Sequence, residues 1–355
     1  MKTGDQRSAF RIERIRRTGF LLLLWLPLLT IVISRDPRFP VPRSSLEWFG
    51  FPGEFRHYFS HYFPLRDHLA GLHSRILLKI DGPSEAGPVT VGNDGWLFLR
   101  LSRDRIDASV GHGELTALRE ERERRAGWCR ERGIRYCVLV VPSKDSIYAD
   151  QLPKRYVKLV PPAHSVSQAA RFLMTKAEDI DVVDVRQRFL DSKRLGPLYF
   201  KTDSHWTELG GYLAAEELIR KLFTTPDGGI SEPFTLRMEQ SEGGNEAQVL
   251  GLRQQTIEWV PRVIFENARG PRLRDGSLVR VNTINLSGFD SSLLETVHPD
   301  APHASAMVFH NSFGVALVPF LSRHFRVCSF IWNPFSEALI EKSRPEVVID
   351  LLTTF

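Results

Sequence analysis

An acidic residue and a histidine two positions apart, Asp203 and His205, are the residues of this sequence best placed for chemistry. They lie in the segment Tyr199–Thr207, where a coil-like stretch meets a helix-like pattern. In extended backbone the side chains at i and i+2 point to the same side. A general base needs a partner that fixes its tautomer, and a carboxylate beside an imidazole can do this. The pair therefore predicts a base, His205, with Asp203 as its orienting acid.

Ser312 is the candidate nucleophile, much further along the chain in the segment Val308–Gly314. An apolar run ends at this serine and a helix-like pattern follows, so its hydroxyl would stand exposed above helix N–H groups. Each residue also has an ordinary structural explanation: a helix cap for Ser312, a turn for Asp203, a packed or surface imidazole for His205. Together they predict a Ser-His-Asp triad, in the chain order of subtilisin.

Strand-like and helix-like segments alternate from residue 114 onward, and this order predicts how the three residues meet. The predicted strands are Tyr136–Val141, Ile180–Val185, Ser305–Phe309, Val327–Trp332 and Val347–Leu352. The predicted helices are Glu114–Arg132, Ser165–Glu178, Thr207–Leu222, Val315–Arg323 and Glu337–Ser343. Such alternation indicates an α/β fold with a parallel sheet and helices on both faces. Ligands bind such sheets at the carboxyl ends of the strands, where Ser143, Lys144 and Ser312 follow strands.

Outside this alternation, Val89–Leu99 holds Asn-Gly-type turn residues between apolar runs and predicts a hairpin. Phe223–Ala304 interrupts the alternation, and we interpret it as a mostly irregular or β insertion. The predicted organisation is a basic tail (1–18), an anchor (19–34), a tether with a helical segment (35–88) and one large domain (89–355).

The N-terminal segment Gly19–Ser34 is apolar and uncharged. Its sixteen residues are slightly fewer than the about 20 of a typical spanning helix, and no small-x-small cleavage site follows it. An uncleaved signal anchor is favoured, with a cleaved signal peptide as the alternative. Arginines precede the segment and hold the N-terminus in the cytoplasm. We therefore expect a single-pass inner-membrane protein whose body lies in the periplasm.

Composition argues against several other classes of protein. The chain has 355 residues, 25% of them charged, and a net charge of +5, which gives no reason to expect nucleic-acid binding. Cys137 and Cys328 fall in apolar strand-like runs and are expected to be buried small hydrophobes. No cysteine or histidine spacing is that of a metal site, so neither a metal nor another cofactor is predicted.

Five short motifs carry a resemblance to a known family. They are Phe63–Asp67, Val91–Phe98, Val141–Lys144, Lys201–Trp206 and His310–Gly314. With these motifs the chain resembles the alginate O-acetyltransferase family (the AlgJ/AlgX type) of SGNH hydrolase-like proteins. The resemblance implies an SGNH-like domain, a serine that carries acetyl, a histidine base and an aspartate partner, matching Ser312, His205 and Asp203. It also implies export, and a polytopic membrane protein that supplies acetyl across the bilayer.

One departure from that family is Asn311, where relatives often carry Asp; an amide is uncharged but still orders a turn. The predicted substrate-binding residues are Lys144, Trp206, Asn311 and Phe313. The backbone N–H groups of Ser312 and Phe313 are the predicted oxyanion donors.

The predicted function is transfer of acetyl, through a Ser acyl-enzyme, to hydroxyls of an exported, alginate-like polysaccharide. Two alternatives stay open: a carbohydrate esterase with the same triad, and a non-catalytic component of a polysaccharide export complex.

Overall fold

A seven-stranded mixed sheet forms the centre of the fold in the computed structural model. The strands in chain order are β1 Glu85–Ala86, β2 Val89–Val91, β3 Leu97–Leu99, β4 Arg135–Val140, β5 Asp181–Asp184, β6 Phe234–Glu242, β7 Ile257–Phe265, β8 Arg272–Leu273, β9 Leu293–Val297, β10 His303–Phe309, β11 Phe325–Ile331 and β12 Val347–Leu352. The sheet order is β5-β4-β12-β10-β11-β9-β8.

The first five strands of this order run parallel, whereas β9 and β8 are antiparallel to their neighbours. The α/β class predicted from the sequence is confirmed, but the prediction of a wholly parallel sheet was wrong at this edge. The physical reason is the short link between β9 and β10. A parallel return needs a crossover of a dozen or more residues, and only residues 298–302 separate the two strands.

Helices cover both faces of the sheet. They are α1 His112–Arg130, α2 Lys144–Ile147, α3 Lys154–Val157, α4 Ser165–Lys176, α5 Arg186–Ser192, α6 Glu208–Leu222, α7 Asn245–Val249, α8 Val318–Leu321 and α9 Glu337–Ser343. Short 3-10 segments are Asn93–Gly95, Ala149–Gln151, Lys193–Leu195, Arg253–Gln255 and Ser312–Leu317.

Alternate side chains of β4 enter two separate hydrophobic cores. Cys137 and Leu139 pack in the core that includes α6 and α8, while Val138 packs in the core that includes α1, α4 and α9. A strand buried on both faces has to be apolar at every position, which is why the central strands are continuous apolar runs. The predicted burial of Cys137 and Cys328 is confirmed.

Turn residues behave as predicted between β2 and β3. Asp94 and Gly95 both adopt positive φ, at 51° and 81°, a conformation that Asp and Gly tolerate better than most residues. In the segment predicted as an insertion, β6 and β7 pair as an antiparallel hairpin, and β8 and β9 extend the main sheet.

The structure describes residues 38–39, 41, 52–58, 62, 69, 71–72, 85–86, 89–99, 111–157, 165–176, 180–223, 232–266, 270–279 and 293–353. The predicted basic tail (1–18) and anchor (19–34) lie outside these residues. Within them, no helix combines the length and the apolar character needed to cross a membrane. The chain divides into two compact units, Met1–Gly82 with Leu250–Leu252, and Pro83–Val249 with Arg253–Phe355. The site described next lies within the second unit.

Candidate active site

Asp203, His205 and Ser312 meet in a continuous hydrogen-bonded chain. The Asp203 Oδ1 to His205 Nδ1 distance is 2.6 Å, and the His205 Nε2 to Ser312 Oγ distance is 2.7 Å. Ser312 opens the 3-10 segment that follows β10 at its carboxyl end. The juxtaposition expected from the sequence is therefore present in the fold.

The hydrogen-bond partner of each ring nitrogen of His205 decides which nitrogen carries the proton. Ionised Asp203 only accepts, so the ring proton lies on Nδ1 of His205, and Nε2 is left to accept the Ser312 O–H. Asp203 Oδ1 also accepts the backbone N–H of His205 at 2.9 Å, which ties the ring to its partner within one short turn. The His205 side chain keeps 26% of its surface exposed. A base in this tautomer, next to a hydroxyl and open to solvent, is equipped to activate a nucleophile.

Four consecutive backbone N–H groups hold the segment that carries Asp203. Gly244 donates to Thr202 Oγ1 at 2.9 Å, Asn245 donates to Asp203 Oδ2 at 2.8 Å, and the next two residues donate to the Thr202 carbonyl. A Cβ at Gly244 would lie 2.3 Å from the Asp203 Cβ. Only glycine allows this backbone to approach the carboxylate so closely.

Asp203 is held in its ionised form by these contacts. Burial raises its pKa, but the hydrogen bond and charge of His205 and the N–H groups of His205 and Asn245 act the other way. Together they lower the pKa of Asp203 from 3.8 to about 2. At neutral pH the carboxylate is charged and oriented, as a partner of an imidazolium must be.

The turn that presents Ser312 is fixed from both sides. Asn311 Oδ1 accepts the Phe313 N–H at 3.1 Å, and Asn311 Nδ2 donates to Thr353 Oγ1 at 2.8 Å. The indole N–H of Trp206 donates to the Phe313 carbonyl at 2.9 Å. Trp206, which follows His205, is thus hydrogen-bonded to Phe313, which follows Ser312. This bond connects the two segments that form the site.

Only one of the two predicted oxyanion donors is available in this turn. The Phe313 N–H is engaged by the Asn311 side chain, so the prediction for that group is not supported. Among the described residues, no acceptor takes the Ser312 N–H. That group remains the backbone donor at the nucleophile.

Lys144 lies beneath the site rather than in an open cleft. The residue is 6% exposed, and its Nζ donates to the carbonyls of Leu97, Lys201 and Asp203 at 2.5, 2.8 and 3.0 Å. Burial lowers the pKa of Lys144 to about 8, against the opposing charges of nearby carboxylates. The ammonium joins β3 to the segment that carries Asp203.

The four predicted substrate-binding residues thus occupy different environments. Lys144 and Trp206 are buried, and their N–H groups donate to backbone carbonyls. Asn311 caps the turn of Ser312. Phe313 is half-buried and packs on His205, with 4.8 Å between ring centroids. A substrate-binding role for each of the four stays a prediction.

The sequence did not predict the contacts that residues of the predicted insertion, Phe223–Ala304, make with the segment that carries Asp203. Glu258 on β7 accepts the Lys201 N–H at 2.6 Å and also accepts the Thr202 hydroxyl. Gly244 and Glu246 belong to the same missed set. The Gly243-Gly244 doublet was the available signal, because adjacent glycines favour close approach of two backbones.

A family of known proteins matches this part of the chain. The sequence profile described as "SGNH hydrolase-like domain, acetyltransferase AlgX" matches residues 89–266, half of the chain. This chain belongs to that family. The resemblance predicted from the short motifs is confirmed, and the family is of the acetyltransferase type. The match includes Asp203, His205 and residues 244–247, whose backbone N–H groups hold the Asp203 segment, whereas Ser312 lies beyond its end. A comparison with curated protein sequences gives no match.

Solved structures are similar to this chain at low sequence identity. PatB1 of Bacillus cereus with a sulfonyl adduct is 14% identical, with a TM-score of 0.53, over 75% of this chain and 93% of that one. PatB1 without the adduct is 15% identical, with a TM-score of 0.50, over 73% and 94%. The O-acetyltransferase domain of Pseudomonas putida AlgJ is 17% identical, with a TM-score of 0.46, over 75% and 90%. The PatB1 similarities indicate a common fold.

Proposed function

We propose that this protein is an O-acetyltransferase that carries acetyl on Ser312 and passes it to hydroxyl groups of an exported, alginate-like polysaccharide. The observation that carries the proposal is the series of hydrogen bonds from Asp203 through His205 to Ser312, in a protein of an acetyltransferase-type family. The acetyltransferase-type family supports this choice of acceptor, and both the class of the acceptor and its exact identity are part of the proposal.

In the first half-reaction Ser312 Oγ attacks the acetyl carbonyl of the donor while its proton moves to His205 Nε2. The Ser312 N–H stabilises the oxyanion of the tetrahedral intermediate. When the intermediate collapses, the leaving group takes the proton from His205, and acetyl remains as an ester on Ser312. Asp203 stabilises the imidazolium throughout.

In the second half-reaction a sugar hydroxyl gives its proton to His205 Nε2 and attacks the acetyl ester. Collapse transfers acetyl to the sugar, and the proton returns from His205 to Ser312. The acceptor hydroxyl therefore occupies the position that water takes in a hydrolase, so exclusion of water decides between transfer and hydrolysis.

The proposal also places the domain in the periplasm, tethered by residues 19–34 to the inner membrane. A polytopic membrane protein would supply the acetyl group. These elements rest on the apolar N-terminal sequence with its preceding arginines and on the family. Activity of a C-terminal reporter that functions only in the cytoplasm would contradict them.

The test of the activity is acetyl transfer from a chromogenic acetyl ester to candidate oligosaccharides, with mass spectrometry of the trapped enzyme. An acetyl adduct on Ser312 and acetylated oligosaccharide are expected. Since PatB1 has been solved with a sulfonyl adduct, a sulfonyl fluoride is a suitable second trap, with Ser312→Ala as its matched control. Acetate as the sole product would favour the esterase, and absence of any adduct would favour a non-catalytic role.

A further inference from the structure

The buried ammonium group of Lys144 has no part in the proposed mechanism. Lys144 begins α2 and is 6% exposed, and a lysine is almost never buried so fully unless its charge is compensated. An ammonium carries three N–H donors. Here they go to the backbone carbonyls of Leu97, Lys201 and Asp203, at 2.5, 2.8 and 3.0 Å. The three bonds thus join β3 to the segment that carries the acid of the triad.

The segment that carries Asp203 depends on partners from elsewhere in the fold. Residues 201–205 belong to neither a helix nor a strand, so no regular ladder takes up their carbonyl groups. The Lys201 carbonyl accepts the Leu97 N–H at 2.8 Å as well as the Lys144 ammonium. For the Asp203 carbonyl, the ammonium is the one donor among the residues that the structure describes.

Two aromatic rings of the β2–β3 hairpin lie next to the same ammonium. Its Nζ is 5.3 Å from the ring centroid of Trp96 and 5.1 Å from that of Phe98, within the range of a cation–π contact. Both aromatic residues are buried, at 5% and 2% exposed. The hairpin, α2 and the Asp203 segment therefore pack together around one buried charge.

The backbone and the carboxylate of Asp203 have separate supports. The carboxylate is bound to His205 Nδ1 at 2.6 Å and to the Asn245 N–H at 2.8 Å, whereas the backbone carbonyl is bound to Lys144 at 3.0 Å. A catalytic group has to be held within about 0.5 Å of its productive position. Since a shift of the backbone moves the side chain with it, both supports set the distance between the carboxylate and the imidazole.

We propose that Lys144 is a positioning residue of the acetyl-transfer reaction, whose ammonium fixes the backbone of residues 201–203 against β3 and so keeps the Asp203 carboxylate on His205. The inference rests on the proposed function of the same site. A positioning role involves no contact between Lys144 and the polysaccharide. Loss of the ammonium should therefore lower kcat and leave KM nearly unchanged.

The test compares the full-length wild-type protein with Lys144→Met, which keeps a long unbranched side chain and removes the ammonium. For acetyl release from a chromogenic ester, kcat should fall about 10²-fold, as for a misplacement of about 1 Å, with KM within about twofold. In the Asp203→Asn protein the same substitution should lower kcat by about threefold or less, because no ionised carboxylate remains to be positioned.

The second measurement is the downfield proton NMR resonance of the His205 Nδ1–H, which reports the hydrogen bond to the Asp203 carboxylate directly. This resonance should be lost or should move upfield in Lys144→Met. A residue that contributes to stability alone would leave it unchanged in the folded protein.

Lys193→Met is the matched control. The Lys193 ammonium also donates to a backbone carbonyl, that of Ile147 at 3.2 Å, and lies 4.7 Å from the ring centroid of Tyr148. Its other hydrogen bond goes to Asp150 and not to residues 201–203. The control variant should therefore keep the kcat, the KM and the NMR resonance of the wild-type protein.

Lys144→Gln is the second variant, because its amide keeps two N–H donors, and its kcat should fall by about tenfold. An unchanged kcat with an unchanged resonance in either folded variant would overturn the inference. Failure of both variants to fold, followed by circular dichroism, would also overturn it, since Lys144 would then serve stability alone. A raised KM for the oligosaccharide at unchanged kcat would assign Lys144 to substrate binding instead. Ester turnover by Ser312→Ala would refute the proposed function, whereas the resonance would still decide the role of Lys144.

Discussion

Substitution of Gly244 by alanine adds a single methyl group to the backbone segment that binds Asp203. The new Cβ would lie 2.3 Å from the Asp203 Cβ and 2.6 Å from Oδ2. Non-bonded carbon atoms sit at about 3.5–4.0 Å, so the two groups must separate by more than about 1 Å. The φ of Gly244 is not in the left-handed region, so the effect is steric and not a matter of backbone conformation.

Asp203 cannot absorb this shift without losing its contacts. Its carboxylate is bound at 2.6 Å to His205 Nδ1 and at 2.8 Å to the Asn245 N–H. A misplacement of about 1 Å in a catalytic group costs roughly 10²-fold in rate, and crowding a packed site costs about 1–3 kcal/mol of stability. We expect Gly244→Ala to lose about 10²-fold in kcat/KM while remaining folded.

The assay is burst-phase acetyl release from a chromogenic ester, with thermal unfolding followed by circular dichroism. Gly113→Ala is the matched control, because a Cβ at this helical glycine meets nothing within 4 Å. This variant should keep full activity, and its free energy of unfolding should rise by roughly 0.5–1 kcal/mol. Since Gly244 acts through Asp203, Gly244→Ala should lower kcat/KM by a smaller factor in the Asp203→Asn protein than in the wild-type protein. Unchanged kcat/KM in a folded Gly244→Ala protein would refute the reasoning.

Three further predictions concern the same site. Ser312→Ala should abolish the acetyl burst and the adduct seen by mass spectrometry; an adduct on another residue would contradict the assignment. Asp203→Asn should lose roughly 10⁴-fold in turnover, as expected when the tautomer of the base is no longer fixed; a loss below about tenfold would argue against this role. The low pKa of Asp203, about 2 against 3.8, stabilises the folded state above pH 3.8. That stability is lost as the pH falls through about 2. The free energy of unfolding of the wild-type protein, measured with urea, should therefore fall by about 2 kcal/mol more over this pH range than that of Asp203→Asn. Equal losses in both proteins would place the acid sensitivity elsewhere.

The sequence predicts the elements around the site well because each has a strong local pattern. Helix α6 begins where Thr207 caps it, with the Gly210 N–H donating to its hydroxyl, and β12 is found at the predicted residues Val347–Leu352. The antiparallel edge was not predicted, because strand direction depends on the path between strands and not on the apolar content of each one.

What the sequence determined by itself is the set of reactive residues and the strands that bring them to one edge. Asp203 and His205 meet through their local spacing, although in a short turn and not in the expected extended backbone. Ser312 follows an apolar run that has to be a central strand. The tertiary structure decided what supports them. Lys144 is buried because three backbone carbonyls converge on its ammonium. Gly244 and Glu246 lie beside Thr202 because a segment distant in the sequence folds back onto it. Contacts between segments far apart in the chain leave no periodic pattern in either one, so only the folded backbone reveals them.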